Sequence, residues 1–265
     1  MRPVFDRPLP LTPILRRSLL LGAALSAIAL FVFAEPHDAL VKADLIGFAT
    51  CHRIAERSLI IAGQQLPLCA RCTGIYLGAL TGWLWLIARR RTRAAQLPPR
   101  PITLALIGFI VLMGVDGLNS LMMLIPGFPH LYETENWMRI FTGSLYGIAL
   151  STLLTPYITL TWWRDPTGER TLKGPGELLL LVNIAAALAL AALTGASFLL
   201  WPLVIASVVG VVGLMAAMNA SLVVMLAGRA NTYSRWRELV TPGLIGIGLA
   251  LTEFVVIDVL RAGLV

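Results

Sequence analysis

The chain reads as an all-α protein, a polytopic bundle of about seven transmembrane helices with its N-terminus in the cytoplasm. Three observations carry that reading. Of 265 residues, 57% are hydrophobic and only 13% charged, whereas soluble domains carry about a quarter charged residues. The apolar residues fall in runs long enough to cross a bilayer core, for which about 20 are needed. The arginines concentrate in the short polar stretches between those runs, where they fix orientation. A transmembrane β-barrel would show short alternating segments, and these are absent.

Residues 1–17, rich in proline and arginine, are expected to form a mobile cytoplasmic tail. The run 18–34 has the basic start and apolar core of a signal peptide. No small-residue cleavage site follows it, so it reads as the first spanning helix, entering from the cytoplasm. Residues 35–68 form a long polar connection. Within it, about 40–62 suits an interfacial helix that turns Leu45, Ile46, Phe48, Ala49 and Ile54 to lipid or protein. Pro67 is expected to start the second spanning helix, about 70–88. Its Gly74, Gly78 and Gly82 recur every four residues and admit another helix backbone. The run Arg89-Arg90-Arg91-Thr92-Arg93 is the strongest orientation signal and places 89–100 in the cytoplasm.

The third helix, about 101–124, runs outward to a Pro/Gly turn at 125–135. The fourth, about 136–160, returns to Trp162, Trp163 and Arg164 and a charged cytoplasmic loop at 164–177. The fifth, about 177–196, and sixth, about 199–227, are joined by a short outer turn. Arg229, Arg235 and Arg237 mark the cytoplasmic loop 228–239. The seventh, about 240–261, is interrupted by Pro242, Gly243, Gly246 and Gly248 and ends outside. The net charge of +7 would suggest nucleic acid in a soluble protein. Here the topogenic loops account for it, so the expected partner is the lipid bilayer and not nucleic acid.

Oriented this way, nearly all polar residues within or beside the spans gather on the outer side. Asp116 and Asn119 share one face of the third helix. Glu133, Glu135, Asn136 and Arg139 stand at the start of the fourth, where Glu135 and Arg139, four apart, suit an ion pair. Glu253 and Asp258 lie in the outer half of the seventh. Ionisable groups at membrane depth usually face a cavity or a partner. Helix ends also need capping, which is the plain reading for Glu133 and Asn136. Asp116, Arg139 and Glu253 are the candidates for chemistry, with Arg139 and Arg71 as cations for the buried acids. Asn183 and Asn219, alone in their helices, suit interhelical hydrogen bonds.

The three cysteines, Cys51, Cys69 and Cys72, all lie between 51 and 72, beside one of three histidines, His52. Cys51, His52, Cys69 and Cys72 are the donor set of a tetrahedral zinc site, and Cys-x-x-Cys followed by Gly74 resembles half a zinc knuckle. Cys51 and His52 are adjacent, so on regular helix their side chains diverge by about 100°. If only one binds, a fourth position stays open for water, Asp116 or His130. A catalytic zinc needs such a position. A second reading is thiol–disulfide exchange. Cys69 at a helix N-terminus beside Arg71 would pass electrons to a quinone, with Cys51 as relay and His52 as base. A third is an inert disulfide in a transporter or scaffold. His130 and His37 read as surface residues. No Walker loop, Gly-x-Ser-x-Gly or His-Glu-x-x-His appears.

The residues Cys51-His52-Arg53, Glu56-Arg57-Ser58, Leu66-Pro67-Leu68-Cys69-Ala70-Arg71-Cys72-Thr73-Gly74, Asp116-Gly117, Asn136-Trp137-Met138-Arg139 and Thr142-Gly143 resemble the predicted membrane proteins of domain of unknown function family 2085. The resemblance implies a bacterial or archaeal multi-pass membrane protein and supplies no activity, substrate or cofactor. The chain divides accordingly into a tail (1–17), a first helix and connection (18–44), a family core with the Cys/His motif and three spans (45–162), and a three-span extension (163–265). The expectation is a plasma (inner) membrane protein with a Cys/His zinc site on its extracytoplasmic side.

Overall fold

The computed structural model describes residues 13–263. Its elements run α1 (Pro13–Phe33), α2 (Ala39–Thr50), β1 (Ser58–Ile61), β2 (Gln64–Cys69), α3 (Ala70–Ala88), β3 (Ala94–Gln96), α4 (Arg100–Met122), α5 (Asn136–Trp162), β4 (Thr167–Arg170), α6 (Pro175–Leu193), α7 (Leu200–Leu226) and α8 (Val240–Ala262). The protein is a helical membrane protein. Among the described residues, α4, α6, α7 and α8 are long and apolar enough to cross a membrane, the last two together with the turns that lead into them. The expected tail lies outside the described residues as far as residue 12, and 13–17 already belong to α1.

The two helices that carry the motif residues, α3 and α5, form the tightest pair in the bundle, and the reason is written in their small residues. A Cβ on Gly74 would stand 2.2 Å from the Ile140 carbonyl oxygen, and one on Gly78 2.1 Å from that of Ser144. In return, a Cβ on Gly143 would meet the Arg71 carbonyl oxygen at 2.2 Å, and one on Gly147 that of Ile75 at 2.0 Å. Two backbones therefore touch, as small residues allow in membranes. The expected role of Gly74, Gly78 and Gly82 is met on α5. The buried face of α5 also carries Ser144, Ser151, Thr152 and Thr155. Ser144 and Thr155 donate to the carbonyls four residues back, at 2.8 and 2.7 Å. A hydroxyl satisfied within its own helix can be buried without a partner on another.

The connection before α3 differs from expectation in one respect. An interfacial helix is present as α2, capped by Asp38, whose carboxylate accepts from the Leu40 and Val41 amides. Pro67, however, lies inside β2 and does not open α3. The strands β1 and β2 form an antiparallel hairpin with Ile61 opposite Gln64. Its two-residue turn has Ala62 at φ 53° and Gly63 at φ 75°, the left-handed pair that a tight hairpin requires. A two-stranded sheet has only edge strands, where proline is tolerated. Gly47 of α2 packs against the Pro67 carbonyl, with room for no Cβ. The hairpin thus delivers the chain to Cys69, the N-cap of α3.

At the opposite end, β3 and β4 pair in parallel. Arg91, buried, pairs with both carboxylate oxygens of Glu177 at 2.8 and 2.9 Å. Arg93 stacks 3.8 Å over the Trp163 ring. Two arginines of the orientation run therefore also hold the end of α3 to the first turn of α6 and to the end of α5.

Candidate metal centre

Three elements bring the cysteines together. Cys51 ends α2 in extended conformation, at φ −140° and ψ 153°. Cys69 is the extended residue that opens α3. Cys72 follows in the first turn. All three are free thiols, and their Sγ atoms lie within 4.8 Å of one another. Around a tetrahedral ion with Zn–S bonds of about 2.3 Å, sulfurs stand about 3.8 Å apart. The set therefore fits an ion after small side-chain adjustments. The Cys69 amide donates to Cys51 Sγ at 3.4 Å, and the N-terminus of α3 turns its positive end toward the sulfurs. Hydrogen bonds from the Cys69 and Cys72 thiols pull the Cys51 thiol far below its ordinary value. The Cys51 sulfur in turn pushes the Cys69 thiol up. One proton leaves readily and the next resists, unless a cation compensates.

His52 is exposed and is not among the sulfur-cluster donors within that distance. The backbone is extended at Cys51, and neighbouring side chains in extended chain point to opposite sides. Cys51 turns into the apolar cluster with Ile46, Leu68, Leu251 and Phe254, which leaves His52 facing out. His130 and His37 are exposed, as expected.

Asp116 lies beside the motif through Arg71, the second residue of the Cys-x-x-Cys interior. Arg71 Nε donates to Asp116 Oδ2 at 3.0 Å. Tyr132 Oη donates to Oδ1 at 3.1 Å and Thr142 Oγ1 to Oδ2 at 3.2 Å. Both carboxylate oxygens are thus engaged, and the residue is 1% exposed. Of the two expected cations, Arg139 and Arg71, it is Arg71 that pairs with Asp116. Tyr132 and Thr142 had no signal of their own, because a turn tyrosine and a helix threonine fit any bundle. Arg139 does not pair with Glu135, contrary to expectation. It donates instead to Asn136 Oδ1 at 3.0 Å and Thr134 Oγ1 at 2.6 Å. Glu135 is the extended N-cap of α5, so helical i, i+4 spacing does not apply to it, and its carboxylate accepts from Trp137 Nε1.

Glu253 stands elsewhere, between α7 and α8, where Asn219 Nδ2 donates to it at 3.0 Å. That is the interhelical bond expected of Asn219. Asn183, by contrast, donates to the Leu179 carbonyl of its own helix. No hydrogen bond among the described residues joins Glu253 to the Asp116 network.

A sequence profile described as "Predicted membrane protein (DUF2085)" matches residues 51–153, which span the cysteines, Asp116 and Arg139. An uncharacterised protein of Methanothermobacter thermautotrophicus is 39% identical over 105 residues, covering 39% of this chain and 82% of that protein. An uncharacterised protein of Methanocaldococcus jannaschii is 30% identical over 106 residues, covering 40% of this chain and 62% of that protein. No solved structure matches the chain.

Proposed function

The chain belongs to the DUF2085 family of predicted membrane proteins, and on that premise we propose that it holds a metal ion, zinc by donor chemistry, on Cys51, Cys69 and Cys72. The carrying observation is that three free thiols from two separate stretches of chain converge within 4.8 Å. Soft thiolates select zinc among the common divalent ions. Asp116 has both oxygens engaged and His52 faces out, so the fourth position goes to water or an incoming ligand. A zinc with an open position polarises what binds there.

The topology that goes with this reading has seven spans, α1 and α3 to α8, in the plasma membrane, with the N-terminus inside and the sulfur cluster at the outer surface. Its support is the arginine-rich end formed by β3, β4 and the 228–239 loop. An impermeant maleimide should label His52→Cys in intact cells. Labelling only after the inner membrane is opened inverts the orientation.

Metal analysis of the full chain in detergent tests the centre: about one zinc per chain is expected, and none in the Cys69→Ser, Cys72→Ser double variant. Wild type without stoichiometric metal, or metal retained by the double variant, overturns it. The proximity of the same thiols favours one second reading. Cys69 and Cys72 would close a disulfide, releasing two protons and passing two electrons to a quinone, which leaves as quinol. That reading predicts thiols that label differently under oxidising and reducing conditions.

A further inference from the structure

A second feature lies outside the sulfur cluster, and its reading does not depend on metal. Helices α1 and α8 cross closely at Ala24 and Gly248, where a Cβ on the glycine would fall 2.6 Å from the alanine. Beyond that crossing they flank an open cleft of about 380 Å³, bordered by Lys42 and Leu45 of α2, within the size range of ligand sites. Its walls near the crossing are apolar, with Ala27 and Leu30 from α1 and Leu251 and Val255 from α8. Its other end carries Glu35, Lys42 and Asp258. The cavity is therefore amphipathic along its length, with charge at one end only.

The charged end is incompletely satisfied. Asp258 Oδ1 is buried without a hydrogen-bond partner. Arg261, three residues on, gives one of its two terminal nitrogens to the carbonyls of Phe48 and Cys51, and no hydrogen bond from it to Asp258 is present among the described residues. Lys42 Nζ donates to the Val32 carbonyl at the end of α1 and lies 6.0 Å from the Phe31 ring centre, which leaves it further protons to give. A buried carboxylate oxygen with no donor is costly. What it lacks is a cation or donor arriving from outside the chain, carried by a molecule whose remainder is apolar.

We propose that this cleft binds one phospholipid with a primary ammonium headgroup, its ammonium against Asp258 and Glu35, its phosphate against Lys42, and one acyl chain between α1 and α8. The carboxylates of Asp258 and Glu35 complement the headgroup's ammonium in sign, and the Lys42 ammonium complements its phosphate. An anionic headgroup would set its charge against both acids. A trimethylated one has no N–H to give to Asp258.

Native mass spectrometry of the full chain, released from nanodiscs of equal parts phosphatidylethanolamine, phosphatidylcholine and phosphatidylglycerol, tests the site. One retained phosphatidylethanolamine is expected. Asp258→Asn should reduce its retention about tenfold, the scale of one charge-assisted hydrogen bond. If that variant does not fold, Lys42→Gln reads the phosphate contact, and Val255→Trp, which fills the apolar end, should lower retention of every lipid. Equal retention of the three lipids, or unchanged retention in folded Asp258→Asn, would each overturn the proposal.

Discussion

Arg71 reaches from α3 to Asp116 on α4 and gives one carboxylate oxygen two hydrogen bonds, from Nε at 3.0 Å and from a terminal nitrogen at 2.5 Å. The same terminal nitrogen also donates to the Asp116 carbonyl at 3.1 Å. Because α4 packs mainly on α5, this pair is the polar tie between the cysteine helix and α4. Arg71, one of the two residues between Cys69 and Cys72, therefore has a structural task independent of any ion they hold.

Removing one side of that tie leaves an uncompensated charge at a site 1% exposed on the acid and 17% on the arginine side chain. Asp116→Ala should therefore lower unfolding free energy by about 3 kcal/mol, the lower end for a broken buried pair. The double variant Arg71→Met, Asp116→Leu should recover most of the loss, since well-packed apolar residues replace such pairs at little cost. Thermal unfolding in detergent across the double-mutant cycle measures it. A loss in the double variant equal to the sum of the two single losses would show that the pair is not a coupled unit.

The glycines make a sharper structural test. Gly147→Ala would drive a methyl to 2.0 Å from the Ile75 carbonyl, whereas Gly108 and Gly114 on α4 have nothing within 4 Å of an added Cβ. Gly147→Ala should destabilise by about 1–3 kcal/mol, as overpacking does, or separate α3 from α5 outright. Gly108→Ala and Gly114→Ala should be neutral within about 0.5 kcal/mol, as for changes away from any contact. Melting temperatures of the three variants in one detergent decide the comparison.

The long helices were legible from their apolar runs, and the expected bounds fall within a few residues of α3 to α8, of which α4, α6, α7 and α8 are long and apolar enough to cross a membrane. The hairpin was not. Its turn uses Ala62 where asparagine or aspartate is the usual signal, and Pro67 reads as a helix start when its strand is unseen. The sulfur cluster was legible as a set of residue types, but not the exclusion of His52 from the group. That turns on the extended backbone of Cys51, which adjacency alone does not reveal. The Glu135–Arg139 pair failed for a related reason, because the helix begins one residue too late to include the acid. Asp116 and Arg71 were both visible as polar residues that the membrane would not tolerate alone.

The placement of His52 gives the metal reading a discriminating prediction. His52→Ala should leave zinc content and affinity within about twofold, since the ring contributes no bond to the ion. Cys51→Ser should weaken binding by at least about a hundredfold, because a ligand that holds the ion is lost. Competition with a chromogenic chelator during titration reads both values. Equal losses in the two variants would mean that the chain rearranges on binding to bring the imidazole in.

Arg261 joins the C-terminal extension to the motif. From the last turn of α8 it donates to the carbonyls of Phe48 and Cys51, at 3.1 Å for the latter, and its guanidinium lies 4.3 Å from the Phe48 ring centre. These contacts hold the end of α2 where Cys51 leaves it, without touching a sulfur. The family profile matches residues 51–153, so Arg261 lies beyond the matched stretch and braces it from outside. Arg261→Met keeps much of the apolar stem and removes the donors. It should weaken zinc binding by about tenfold, the lower end for outer-shell substitutions, while leaving the stoichiometry at saturating metal unchanged. Arg261→Lys, which restores one charged donor without the planar fork, should recover part of the loss. If Arg261→Met binds zinc as tightly as wild type, Cys51 is held by α2 and the hairpin alone, and the extension has no part in the centre.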